Sequence, residues 1–150
     1  MKLLREILYK VEINSVIGNT SLSINKIEFD SRLISDGDMY IAITGVNVDG
    51  HSFISQAIQN GANCIVCEKT PDIKTDGIVY VNVKSSRKAL AIISSNYFDN
   101  PSSKLNLIGV TGTNGKTTIA TLLFDLYTEL EIKSGLIFLI SSILYPSFLP

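Results

Sequence analysis

The sequence predicts an α/β protein built on a mostly parallel sheet, and three observations carry that prediction. Apolar residues recur with helical and with strand spacing in alternating segments; the strand-like segments are rich in β-branched residues and bounded by turn formers; and a late strand-like run, "LNLIGVT", passes through glycine straight into a helix. At 150 residues and 45% hydrophobic the chain is long and apolar enough to build a core, as one ordinary domain or two small ones.

In order, "MKLLREILYK" reads as a short amphipathic helix whose charges at Arg5, Glu6 and Lys10 set it apart from a signal peptide. Extended segments follow around Ile24–Phe29 and Met39–Ile43, separated by a turn-rich stretch ending in Asp36-Gly37-Asp38, where Asp38 closes the turn. "GVNVDGH" is a glycine-bounded loop, and "SFISQAIQNGA" places Phe53, Ile54, Ala57 and Ile58 at helical spacing with Gly61 as the stop. "NCIVCE" and "IVYVNV" are strands. "SSRKALAIISSNYF" is a helix capped by Ser85 or Ser86, with Leu90, Ile93 and Tyr97 along one face; after the break "DNPSSK" comes "LNLIGVT", then a helix carrying Ile119, Leu122, Leu123, Leu126 and Leu130. The expected division is 1–84 and 85–150, the polar break at Asn100–Lys104 being the other position at which it can fall.

Thirteen Lys plus Arg against 14 Asp plus Glu leave no global positive field for a nucleic-acid backbone or an anionic membrane, so neither is expected as a partner and any anion must be held by local geometry. The apolar stretch "GLIFLISSILY" is too short to span a bilayer. Cys64 and Cys67 lack the second pair or the histidines that would complete a metal site, so they read as core residues of a cytoplasmic protein without disulfides.

The chemistry concentrates in "GVTGTNGKTT", residues 109–118. A strand that ends in a glycine turn and opens a helix leaves backbone N–H groups converging on one concavity with the helix dipole behind them, which is a site for polyphosphate. Gly112 and Gly115 let the backbone curl close to the ligand, Lys116 neutralises phosphate charge and is the candidate catalytic group, and the Thr117 hydroxyl is placed for Mg²⁺; Thr113, Asn114 and Thr118 complete the cradle. The first glycine of G-x-x-x-x-G-K-[ST] is replaced by Val110.

The string T-G-T-N-G-K-T-T resembles the ATP-binding loop of the Mur ligases, the amide-forming enzymes of bacterial cell-wall precursor synthesis. Upstream, Asp30-Ser31-Arg32, Gly37-Asp38, Asp49-Gly50-His51 and Gly61-Ala62 are similar to the substrate domain shared by the members that add the third residue and the terminal dipeptide to the peptide stem, most of all the former; the likeness runs from about residue 22 to about residue 137. The resemblance implies a small N-terminal α/β substrate domain followed by the truncated start of a P-loop ATPase domain. It also implies ATP and Mg²⁺ as cofactors, UDP-N-acetylmuramoyl-L-alanyl-D-glutamate and an amino acid as substrates, and a monomer. The reaction implied is transfer of the ATP γ-phosphoryl group to a carboxylate and attack of an amine on the acyl phosphate. By the same resemblance Phe29 and Ser31 fall at the uridine site and Val46, Asn47 and Val48 in a second substrate-contact segment. Read without it, Asp30 and Arg32 can equally form a local ion pair and turn, and His51 beside a helix start is a capping or packing residue in preference to a catalytic base.

The tail "FLISSILYPSFLP" departs from the family pattern and reads as the product of a shifted frame or an early stop, so a ligase fragment incapable of full turnover is expected, with residues 104–150 association-prone. A non-catalytic nucleotide- or UDP-sugar-binding module and the sister ligase for D-alanyl-D-alanine are the competing readings. The sequence does not separate diaminopimelate from lysine as the added residue.

Overall fold

The computed structural model describes residues 1–46 and 48–138; Asn47 and the tail 139–150 lie outside the described residues. The elements are β1 (Lys2–Leu3), α1 (Leu4–Ile7), β2 (Ile13–Ile17), β3 (Ser23–Ile24), β4 (Ile27–Glu28), β5 (Asp38–Ile41), α2 (Ile54–Gln59), β6 (Ala62–Cys67), β7 (Val79–Val83), α3 (Ser86–Tyr97) and α4 (Lys116–Glu129), with 3-10 turns at Ser31–Leu33, Gly50–Phe53 and Pro101–Lys104. They fall into two compact units, Met1–Leu105 and the residues from Asn106 onward.

The first unit is a five-stranded sheet in the order β2-β7-β6-β5-β4, parallel from β4 through β7, with β2 antiparallel on the β7 edge. Parallel strands are covered on both faces and so carry near-continuous apolar runs whose residues alternate between two cores. Met39, Ile41, Cys64, Val66, Val79, Val81 and Val83 point to one face, where Leu4 and Ile7 of α1 and Ala89 and Ile93 of α3 close a core. Tyr40, Ala42, Ile65, Cys67 and Tyr80 point to the other, under Ile54 and Ala57 of α2. Alternation thus separates the two cysteines: at positions i and i+3 of one strand their thiols sit in different layers, both fully buried, and share neither a disulfide nor a metal. Burial pushes both thiols above their ordinary range.

Several expectations shift. The N-terminal helix is a single turn, α1, preceded by β1, which pairs with β3 in a separate two-stranded ribbon. The run Ile24–Phe29 is divided between that ribbon and the main sheet, because Asn25 is tied elsewhere: its N–H donates to Gly37 O, its Nδ2 to Asp36 O, and its carbonyl accepts from the Tyr97 hydroxyl. The compact units meet at Leu105/Asn106 and not at 84/85, since α3 buries Ala89 and Ile93 in the first unit's core. Residues 105–111 form no strand, having no neighbouring strand to complete a ladder among the described residues.

In the second unit α4 begins at Lys116 behind Gly115, whose φ of +75° is left-handed. The apolar stripe of α4, with Ile119, Leu122, Leu126 and Leu130, is exposed.

Gly61 both terminates α2 and seats the strand order: at φ +109°, a Cβ placed there would lie 2.7 Å from the Asp36 Cα, and the Gly61 carbonyl accepts from Gly37 N–H. Gly61→Ala therefore forces backbone against backbone and should cost about 1–3 kcal/mol of stability, read as a lowered midpoint in urea unfolding. In the native protein neither Cys64 nor Cys67 should react with an aromatic disulfide reagent, and both should react once the chain is unfolded in denaturant.

Candidate functional site

Strands that run the same way deliver their outgoing loops to one rim of the sheet, and ligands of open α/β sheets bind there. Phe29, Asp30, Ser31 and Arg32 leave β4, and Ile43, Gly45, Val48 and Gly50 leave β5; with Tyr40, Phe53, Gln56 and Arg87 they line a cleft of about 750 Å³ in the first unit. Aromatic and aliphatic side chains make most of the wall. Phe29 is 62% exposed and Phe53 39%, so both present apolar surface to the opening.

Each turn at the rim is fixed by its own polar residues. Asp30 caps the Ser31–Leu33 turn, its carboxylate accepting from Arg32 N–H at 3.0 Å, from Arg32 Nε at 3.0 Å and from Arg32 Nη2 at 2.7 Å. The guanidinium, with the backbone amide adding to it, holds the Asp30 carboxyl down at about 2. The Ser31 side chain is buried; its hydroxyl donates to Gln56 Oε1 at 2.9 Å and its carbonyl accepts from Asn60 Nδ2 at 2.8 Å, which joins the loop after β4 to α2. Tyr40 reaches from the sheet to donate to the Gly50 carbonyl at 2.9 Å, and burial, with the Asp30 and Asp49 charges adding to it, raises its phenol above the ordinary range.

Each position of the stretch Asp49-Gly50-His51 makes a structural tie. The Asp49 carboxylate accepts from the His51 N–H at 3.0 Å, from His51 Nδ1 at 2.6 Å and from Thr44 Oγ1 at 3.4 Å; the His51 amide, followed by the imidazole, lowers its proton affinity. Gly50 donates to Ile43 O at 2.9 Å, and a Cβ there would lie 2.7 Å from the Ile43 backbone N and O. His51 Nε2 accepts from the N–H groups of Glu68 at 2.9 Å and Lys69 at 3.3 Å, which assigns the ring proton to Nδ1 facing Asp49. With both nitrogens engaged, the imidazole pins the loop after β5 to the end of β6. Glu68 in turn caps α3, its Oε1 accepting from Ser86 N–H at 2.8 Å, beside the Ser85 hydroxyl that caps the same turn.

Of the substrate-contact residues expected from sequence, Phe29, Ser31 and Val48 line the cleft together. Val46 is 98% exposed and is not part of the wall, and Asn47 lies outside the described residues. Tyr40, Ile43, Phe53, Gln56 and Arg87 belong to the wall without having been singled out from sequence. Gln56 occupies the polar face of α2 and Arg87 the first turn of α3, positions whose sequence signal is indistinguishable from ordinary solvated helix surface.

The glycine loop belongs to the second unit. Gly112 and Gly115 adopt φ +154° and +75°, and where a Cβ would stand at Gly115 there is open space. None of the backbone N–H groups from Gly112 to Thr118 donates to another described residue, and Thr113, Asn114, Lys116, Thr117 and Thr118 are all exposed. Lys116 folds its ammonium back onto the carbonyls of Gly112 and Thr113. No cluster of three or more His, Cys, Asp or Glu able to hold a metal ion occurs among the described residues. No described helix is long and apolar enough to cross a membrane.

Comparison with known proteins places this geometry. The 2,6-diaminopimelate ligase of UDP-N-acetylmuramoyl-L-alanyl-D-glutamate from Cytophaga hutchinsonii is 48% identical over 142 residues, 94% of this chain and 29% of the relative. The ligase of the same activity from Clostridium tetani is 46% identical over 135 residues, 89% of this chain and 28% of the relative. The chain thus spans less than a third of the length of these curated relatives. Among solved structures, a MurF from Acinetobacter baumannii superimposes with a TM-score of 0.60 at 25% identity, over 86% of this chain and 28% of its own. The family described as Mur ligase family, catalytic domain, matches residues 23–98, which lie wholly in the first unit, include the cleft, and stop short of the glycine loop. On that match, over half of its residues, the chain belongs to the Mur ligase family.

Proposed function

We propose that the chain is the N-terminal part of an ATP-dependent amide ligase of peptidoglycan precursor synthesis, working in the cytoplasm, its first unit holding the uridine end of UDP-N-acetylmuramoyl-L-alanyl-D-glutamate and its second unit opening the ATP site. The observation that carries the reading is the pairing, on one chain, of a rim cleft containing Phe29, Ser31 and Val48 with a glycine loop whose amides from Gly112 to Thr118 are uncommitted. The curated relatives from Cytophaga hutchinsonii and Clostridium tetani, at 48% and 46% identity, are 2,6-diaminopimelate ligases by name, which supports diaminopimelate as the added residue.

The loop fits a triphosphate on its own features: left-handed glycine, free amides at the start of a helix, an ammonium within reach. Lys116, now satisfied by two neighbouring carbonyls, exchanges these for phosphate oxygens, and the Thr117 hydroxyl in the first turn of α4 is the candidate ligand for Mg²⁺. Bound ATP supplies the phosphoryl group that turns a carboxylate oxygen into a departing phosphate. The chain's own share is alignment and charge stabilisation, through Lys116 and the loop amides.

A second reading has specific support: the first unit carries two closed cores and a complete cleft within Met1–Leu105, as a self-standing binding module would. In calorimetry of the chain, Mg·ATP should bind and Lys116→Ala should weaken it by about ten- to a hundredfold, the span of a lost charge-assisted contact, while uridine-nucleotide binding is unchanged. Phosphate release from ATP with UDP-N-acetylmuramoyl-dipeptide and diaminopimelate separates the readings. A ligase-competent chain releases phosphate only with both substrates present, and a module binds without product. Absence of any Mg·ATP uptake by the folded chain overturns the ATP assignment.

A further inference from the structure

We infer that Arg87 is the residue of the cleft that recognises the diphosphate of a nucleoside diphosphate; the inference rests on the uridine-nucleotide reading above and assigns it a residue and a chemical group. Two cations line the cleft, and they are in different states. Arg32 is neutralised by the two-pronged clasp of Asp30. Among the described residues Arg87 has no carboxylate within ion-pair distance, and the one hydrogen bond its side chain makes with them is from Nη2 to the Thr44 carbonyl at 3.4 Å, the far end of the useful range. A neutral acceptor at that distance is readily exchanged for an oxyanion, which a guanidinium fork can meet with two parallel N–H···O bonds and with its full charge.

The remaining walls supply what the rest of such a ligand needs. Phe29, Phe53, Ile43 and Val48 present apolar surface suited to a base, and Gln56, whose Oε1 is taken by the Ser31 hydroxyl, keeps its amide N–H groups for a carbonyl acceptor. Arg87 is also held where it can serve both loops. Thr44 Oγ1 donates to Asp49, Asp49 accepts from His51, His51 accepts from the Glu68 amide, Glu68 accepts from Ser86 N–H, and the next residue, Arg87, returns to the Thr44 carbonyl. These contacts tie the start of α3, through His51 and Glu68, to the loop after β5, so Arg87 stands on the cleft wall beside that loop with only its long bond to Thr44 to give up.

The test is titration of the full chain with uridine, UMP and UDP, alongside R87K, R87A and K116A, each checked for native circular dichroism. The expected result is that UDP binds the wild type more tightly than uridine, and that R87A loses about ten- to a hundredfold in UDP affinity with uridine affinity held within about twofold. R87K, a point charge without the fork, should fall between, K116A should leave UDP binding intact, and added salt should weaken UDP binding more in the wild type than in R87A. Equal loss of uridine and UDP affinity in R87A, no loss of either, or loss of UDP binding in K116A overturns the assignment while wild-type uridine binding keeps the cleft reading. If the folded wild type takes up none of the three ligands, the cleft reading falls and the assignment falls with it.

Discussion

The fold of the first unit depends on one constraint: the ladder β4–β7 is parallel and both of its faces must be covered. Parallel neighbours cannot be joined by tight turns; α2, in the connection from β5 to β6, covers one face, and α3, which follows β7, covers the other together with α1. The same polarity sends the loops after β4 and β5 to one rim, where no further strand is needed to form a concavity. The cleft is therefore a by-product of strand direction, and its specificity comes from what the rim loops carry.

Those loops are held in place by hydrogen bonds from their own polar residues. Asp30, Asp49 and Glu68 each satisfy backbone N–H groups at the start of a turn or helix, and His51 joins two of these arrangements. The second unit is built differently. Its glycine loop leaves main-chain amides exposed at the start of α4, whereas the cleft of the first unit is lined mostly by side chains.

Much of the first unit was legible in the sequence. β5, β6, β7, α2 and α3 emerge within a residue or two of their expected spans, because two-sided burial writes unbroken apolar runs and because Gly61, by its left-handed backbone, and Ser85, by its capping hydroxyl, mark helix ends locally. β2 was not legible: it is a mostly exposed edge strand whose Asn14 and Ser15 break the apolar pattern, and only pairing with β7 makes it a strand. The separation of Ile24 from Ile27 into different sheets depends on ties from Asn25 to residues distant in sequence. Within the cleft, Phe29, Ser31 and Val48 were reached through the family resemblance. Arg87 could not, since its place is set by the fold bringing it to Thr44, 43 residues earlier.

The clasp between Asp30 and Arg32 has a bearing on selectivity. By cancelling one of the two guanidinium charges at the rim, it leaves the opening with the valence of a single cation. Long polyanions need a row of positive side chains to displace their counterions and gain little at such an opening, while a small metabolite bearing a compact pair of phosphates is matched in both size and charge. On the proposed nucleotide reading, the clasp would then act as a filter on ligand valence, excluding by scarcity of charge what a more basic rim would collect indiscriminately.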